Sequence, residues 1–207
     1  MDMRFDIGVD EVNGRIEITD DNAGYVLSIG KPDLSKKPCY DVFFKPPYGV
    51  PITPGRISDY PAEARDVRLS PSFRILEVGA GLGEWIPTAI SRTSFHERPT
   101  VIEMADYLLM REMLQFAISQ GMEGSVASRL DDLVQKCDVY LNPDKVHLIN
   151  LPLIDGVSQN RHLIGHFDIV VDNIAANFYR RYTSDNLDIS AIERELLAPN
   201  GVLLTDG

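Results

Sequence analysis

The segment Ile75-Leu76-Glu77-Val78-Gly79-Ala80-Gly81-Leu82-Gly83-Glu84-Trp85 constrains the fold of this chain more than any other. A short apolar run ends in a glycine-rich loop and passes straight into a stretch of helical character. Glycines are needed there because the backbone turns sharply and comes close to a ligand, where a Cβ would obstruct it. Strand, tight loop and helix in that order open a parallel βα unit whose loop forms a cofactor site.

The texture of the chain agrees from Phe73 onward, where short apolar runs alternate with helical stretches. Strands are predicted at Arg74–Val78, Thr100–Met104, Lys145–Ile149, Phe167–Val171 and Gly201–Thr205. Helices are predicted from Trp85 to Ser91, over Tyr107–Gln120 up to Gly121, roughly over Val126–Tyr140, and over Ile189–Leu197. That alternation implies an α/β fold with a doubly wound, mostly parallel, Rossmann-like sheet. Before residue 70 the pattern differs. The β-rich runs Arg15–Thr19 and Tyr25–Ile29 flank Asp20-Asp21-Asn22-Ala23-Gly24, a hairpin signal, and Pro46, Pro47, Pro51 and Pro54 follow in a turn-rich stretch. Residues 1–70 thus read as a β-hairpin appendage with a proline-rich cap or linker, and residues 71–207 as the cofactor domain, ending after its fifth strand.

Composition narrows the partners. With 44% apolar and 25% charged residues the chain has the make-up of a folded globular protein. Its formal net charge of -11 repels polyanions, so nucleic acid is not an expected partner. An acidic start, MDMRFDIG, and the absence of any apolar run near the roughly 18 residues that span a bilayer point away from a membrane and to the cytoplasm. Cys39 and Cys137 each stand alone and read as free thiols.

The arrangement Glu77-x-Gly79-x-Gly81-x-Gly83 resembles motif I of class I S-adenosylmethionine-dependent methyltransferases. A dinucleotide-binding loop would carry its third glycine one position later, where Glu84 stands. Twenty positions beyond Gly83, Glu103 ends the next strand, where a carboxylate can accept both ribose hydroxyl protons. The resemblance covers residues 73–207 and implies S-adenosyl-L-methionine as cofactor. It implies that Glu77, Gly79, Ala80, Gly81 and Gly83 form the cofactor loop and that Glu103 takes the ribose. Met104 would pack on the adenine, and Asn150, with Asp155 as a rival, would lie near the adenine amino group. The run FDIVVDN, with Asp172 and Asn173 at its end, resembles the fourth-strand motif near the methionine moiety and the transferable methyl. LLAPNGVLLTDG resembles the helix, turn and fifth strand of such domains.

The implied activity is methylation of an oxygen or nitrogen on a small-molecule acceptor, with Asp172 and Tyr179 as candidates for substrate-side catalytic roles. A degenerate, binding-only domain of the same fold and an NAD-dependent oxidoreductase are the alternatives. The segment VIEMADYLLMREMLQF also resembles sugar O-methyltransferases. Phe178, Tyr179 and Tyr182 either meet the acceptor or pack a helix on the sheet.

Other candidates carry less. Lys45-Pro46-Pro47-Tyr48 lacks the Asn or Asp of the catalytic motif it superficially resembles. His147, among apolar residues, reads as a core histidine, and His162 and His166 read as loop residues with no third ligand. Catechol-type methyltransferases hold a divalent cation on carboxylates comparable to Asp172 and Asp206. Here Gly207 stands where an Asn is expected and no second acid adjoins Asp172, so no metal is expected. The sheet is expected to leave an edge after its fifth strand; the N-terminal hairpin is read first as a separate cap over the site together with the proline-rich segment, the alternatives being that it pairs beside residues 201–205 or that two copies dimerise through that edge.

Overall fold

Two periodicities divide the molecule, one of antiparallel hairpins and one of parallel βα units. The structure, a computed structural model, describes residues 5–30, 41–49, 51–172 and 188–205. One compact unit comprises Met1–Pro54 and Ala105–Asp138, and the other Gly55–Met104 and Val139–Gly207.

In the first unit, β1 (Asp6–Asp10), β2 (Arg15–Asp20), β3 (Tyr25–Ile29) and β4 (Val42–Lys45) form an antiparallel meander in that order. The hairpin read from the sequence is present, with Asp20 opposite Tyr25, and it gains a strand on each side. The appendage is therefore a four-stranded sheet. β4 escaped sequence reading because Pro46 and Pro47 follow it at once. The prolines sit past the strand end, and within the strand Phe44 exchanges both backbone bonds with Ile52 at 2.9 Å. Alternation along the strands buries Ile18, Leu27, Ile29 and Phe44. On this unit lies α3 (Tyr107–Ser119), capped by the Asp106 side chain, which accepts from the Leu109 amide at 2.9 Å. The Asp106 amide donates to the Tyr25 hydroxyl at 3.1 Å, and Phe5 meets Phe116 at 5.4 Å between ring centroids. Here too begins α4 (Gly124–Leu141).

In the second unit, β5 (Ile75–Val78), β6 (Thr100–Ile102), β7 (His147–Ile149), β8 (Phe167–Asp172) and β9 (Leu197–Thr205) form a parallel sheet in the order β7-β6-β5-β8-β9. The order reverses at β5, the feature that defines a doubly wound, Rossmann-like sheet. All four β5 residues are buried, as its central place requires. One face carries Leu76, Val78, Ile102, Ile149 and Val170 under α5 (Leu153–Gln159) and α6 (Ile189–Leu196). The opposite face carries Glu77, which meets Tyr60 and the Ile86 amide of α2 (Trp85–Arg92). The short α1 (Ala62–Asp66) is tied to α2 by the Trp85 indole, which donates to the Ala64 carbonyl at 2.8 Å.

The sequence reading needs three corrections here. α1 and α5 were not foreseen, α5 because Gly156 reads as a loop signal; a Cβ there would come within 3.1 Å of Ile102 Cγ2, so the glycine allows close approach to the sheet. The turn expected at Pro199-Asn200-Gly201 is a bulge inside β9, with the register shifting between Phe167 and Ile169 and Asn200 at φ 69°. His147 is exposed rather than core, because it begins the edge strand β7. Of the arrangements weighed for the sheet edge, pairing of residues 15–29 beside residues 201–205 is not found, since among the described residues their ladders run to β1, to each other and to β4. No helix among the described residues is long and apolar enough to cross a membrane.

Arg15 is the buried polar anchor of the first unit. Its Nε donates to Ser28 Oγ at 2.7 Å, its terminal nitrogen donates to the Asp41 carbonyl at 2.8 Å, and its guanidinium lies 4.8 Å from the Phe43 ring centroid. A lysine keeps the charge but not the planar fork. Arg15→Lys should therefore lower the urea-unfolding free energy by about 1–3 kcal/mol; an unchanged midpoint would show that the fork is not needed.

Candidate active site

Carboxyl groups stand at the C-terminal ends of three adjacent strands, β6, β5 and β8, where doubly wound sheets bind ligands. The chain reaches this end through Gly79 and Gly81, at φ 65° and 52°, values that favour glycine. The Gly79 amide donates to the Ile102 carbonyl at 3.0 Å, and the Gly81 amide donates to Glu103 Oε2 at 2.7 Å. The loop after β5 is thus fastened to the end of β6. Glu103 is fastened in turn to β7: its amide donates to the Ile149 carbonyl at 3.1 Å, and the Asn150 side-chain amide donates to its carbonyl at 2.8 Å. Among the residues singled out from the sequence, Gly79, Ala80, Gly81, Gly83, Glu103 and Asn150 come together here. Met104 follows, half-buried. Asp155 lies exposed on α5.

Glu77 lies beneath this loop with its carboxyl fully buried. Tyr60 donates to its Oε1 at 2.7 Å, while Oε2 is buried without a hydrogen-bond partner. Burial pushes its pKa up to about 7, against the opposing pull of the Tyr60 hydroxyl and the Ile86 amide; the nearby Glu103 charge adds to the rise. Burial, and then the Glu77 charge, push the Tyr60 phenol well above its usual range. Tyr140 closes the loop from the other end, donating from its hydroxyl to the Gly83 carbonyl at 3.2 Å. Glu84 Oε2 accepts from the Ile57 amide at 3.0 Å. Tyr60 and Tyr140 were missed by sequence reasoning, since no local pattern separates a hydroxyl-bearing aromatic at a site from one in a core.

Asp172 ends β8, buried and opposite Val78 on one side and Thr205 on the other. The second acid not found next to Asp172 in the sequence is supplied by α6, where Glu193 is fully buried. Burial first and the Asp172 charge second push Glu193 up to about 8. Tyr179, Phe178, Tyr182, Asn173 and Asp206 lie outside the described residues. Among the described residues, no group of three or more His, Cys, Asp or Glu side chains is placed to hold a metal ion.

No family model matches the chain, and no curated protein matches it in sequence. Among the solved structures to which the chain is similar are the following two. One is YjhP from E. coli, with a TM-score of 0.40, 18% identity, and coverage of 74% of this chain and 50% of that one. The other is a SAM-dependent methyltransferase from Thiobacillus denitrificans in complex with S-adenosyl-L-homocysteine, with a TM-score of 0.40, 16% identity, and coverage of 71% and 48%. The chain spans about half the length of each. At that TM-score the likeness is loose, and the site stands on its own geometry.

Two predictions follow from the buried acids. Glu77 and Glu193 hold protons in the folded state that the unfolded chain, with carboxyls near 4.5, has released. Unfolding therefore releases protons, and stability falls as pH rises from about 4.5 through about 7 and 8, by up to about 1.4 kcal/mol per pH unit for each such group. Calorimetry should give a higher melting temperature at pH 5.5 than at pH 8.5; a flat or rising profile would refute these assignments. Tyr60→Phe removes the donor to Glu77 and should cost about 1–3 kcal/mol of stability. It should also move the Glu77 titration further up, which carboxyl NMR would read.

Proposed function

We propose that the chain binds S-adenosyl-L-methionine at the C-terminal ends of β5 and β6 and transfers its methyl group to an oxygen or nitrogen of a small molecule. The carrying observation is the glycine loop of the central strand, held to the Glu103 carboxylate by the Gly81 amide. Two features fit the cofactor. The backbone at Gly79 and Gly81 is left-handed and lacks side chains that would obstruct a ligand, and Glu77 Oε2 is a buried acceptor with no donor. When bound, the cofactor would supply an activated sulfonium methyl.

The chain's residues would then do the following. Glu103 accepts from the ribose hydroxyls, since a carboxylate offers about four acceptor sites on its two oxygens. Gly79, Ala80, Gly81 and Gly83 bring backbone to the methionine end above Glu77. Met104 packs on the adenine, and Asn150 lies near its amino group. Asp172 stands on the acceptor side, and Tyr179 takes a substrate-side role. With the methyl already activated, the protein has chiefly to align the acceptor and exclude water, adding a base only where the acceptor must lose a proton early.

The net charge of -11 favours a neutral or cationic acceptor over a nucleic acid. A cytoplasmic protein, and pairing of two copies along the β9 edge, belong to the same reading. A nicotinamide site is the less favoured alternative, because Glu84 stands where its third glycine would be and is engaged with the Ile57 amide.

Titration calorimetry with S-adenosylmethionine, S-adenosylhomocysteine and NADH tests the reading. Either sulfur compound should bind, and Glu103→Ala should weaken that binding by about 1–3 kcal/mol. Binding of NADH alone would replace this reading with the oxidoreductase; binding of neither methyl donor nor product would refute it.

A further inference from the structure

Helix α6 turns Ile189, Ile192 and Leu196 toward the sheet, and the same stripe contains Glu193, four residues after Ile189. An acid thus occupies a position that the helical period assigns to a core residue. Its side chain is fully buried, and neither Oε1 nor Oε2 has a hydrogen-bond partner. A carboxylate in that place would have given up water without gaining a donor.

Asp172, at the end of β8, is the group that faces it. Two carboxylates only accept and cannot bond each other, whereas one carboxylic acid and one carboxylate can. The other ionisable neighbours do not change this balance. Arg194, exposed on the same helix, favours the charged form of Glu193, while Asp188 at the helix start opposes it. On the sheet side, β9 carries no ionisable residue. Burial and Asp172 outweigh Arg194 and hold Glu193 up to about 8.

We propose that Glu193 and Asp172 form a one-proton carboxyl pair, in which Glu193, as the neutral acid, donates to the Asp172 carboxylate and positions it as a single fixed negative charge selecting a cationic ligand group, a sulfonium or an ammonium. The ligand half of this statement rests on the cofactor reading above; the pair itself does not. Glu193 is a positioning residue, acting through Asp172.

The pair is tested without ligand, on the full chain carrying carbon-13 at its glutamate and aspartate carboxyls. One glutamate carbon should titrate near 8, vanish in Glu193→Gln, and move toward acid in Asp172→Asn, which removes the neighbouring anion. If the signal lost in Glu193→Gln completes its titration below about pH 6, or does not move in Asp172→Asn, the pair is refuted. Should Glu193→Gln not fold, the direction of the Asp172→Asn shift decides alone.

The ligand half is tested by calorimetry at pH 7. Glu193→Gln retains a neutral donor and should bind S-adenosylmethionine within about twofold of the wild type, whereas Glu193→Leu, lacking a donor, should bind about tenfold more weakly. S-adenosylhomocysteine, which lacks the sulfonium charge, should be far less affected by Glu193→Leu. A Glu193→Gln protein as weak as Glu193→Leu would overturn the neutral-acid assignment, and equal losses for both compounds would overturn cation selection. If neither compound binds the wild type, the cofactor reading fails and cation selection fails with it, while the carboxyl titration still decides the pair.

Discussion

The 2.7 Å bond from the Gly81 amide to the Glu103 carboxylate joins the two strand ends on which the candidate site is built. It is a charge-assisted bond to a backbone donor, about twice as strong as a neutral one. Its geometry depends on β5 and β6 being parallel neighbours, with Val78 opposite Ile102, so that both chains leave the sheet at the same level. The Asn150 side chain carries the same tie to β7. A one-residue slip of β6 would turn Glu103 to the other face and leave the loop without its anchor.

How far the sequence revealed this follows from how local each determinant is. β5 was legible because an apolar run leads straight into glycines that must adopt left-handed backbone, and Glu103 was legible because a βα unit has a nearly fixed length. α3 was legible to within a residue, since Asp106 caps it and Gly121 follows its end. Elements whose reason for existing lies elsewhere in the chain were not legible. α5 depends on Gly156 meeting Ile102 and Ile149, and β4 depends on a bridge to Ile52 beyond two prolines. Tyr60 could not be found because its partner, Glu77, lies in another element and only the fold brings them together.

Glu193 shows the same limit more sharply. A search for acids adjoining Asp172 in the sequence finds none, because the adjacent acid arrives on the following helix. Its signature was nonetheless present in the sequence as one charged residue in an otherwise apolar helical stripe. Such a residue conflicts with local pattern, and conflicts of that kind are expected where function or strain requires them.

Glu77, Glu103, Asp172 and Glu193 lie in or beneath one end of one sheet, in a chain already at -11. Four full negative charges there would repel one another and oppose folding. Burial eases this by making the two deepest acids weak: Glu77 lies near neutrality and Glu193 above it. Protons, rather than counter-ions, therefore balance the inner pair, and charge remains where the strands end. A buried acid whose ionised form is costly can act as a hydrogen-bond donor, which an exposed carboxylate at neutral pH cannot do. Carboxyls thus stand in two settings at this end of the sheet: Glu103 and Asp172 where the strands end, and Glu77 and Glu193 buried beneath, where desolvation makes them weak acids.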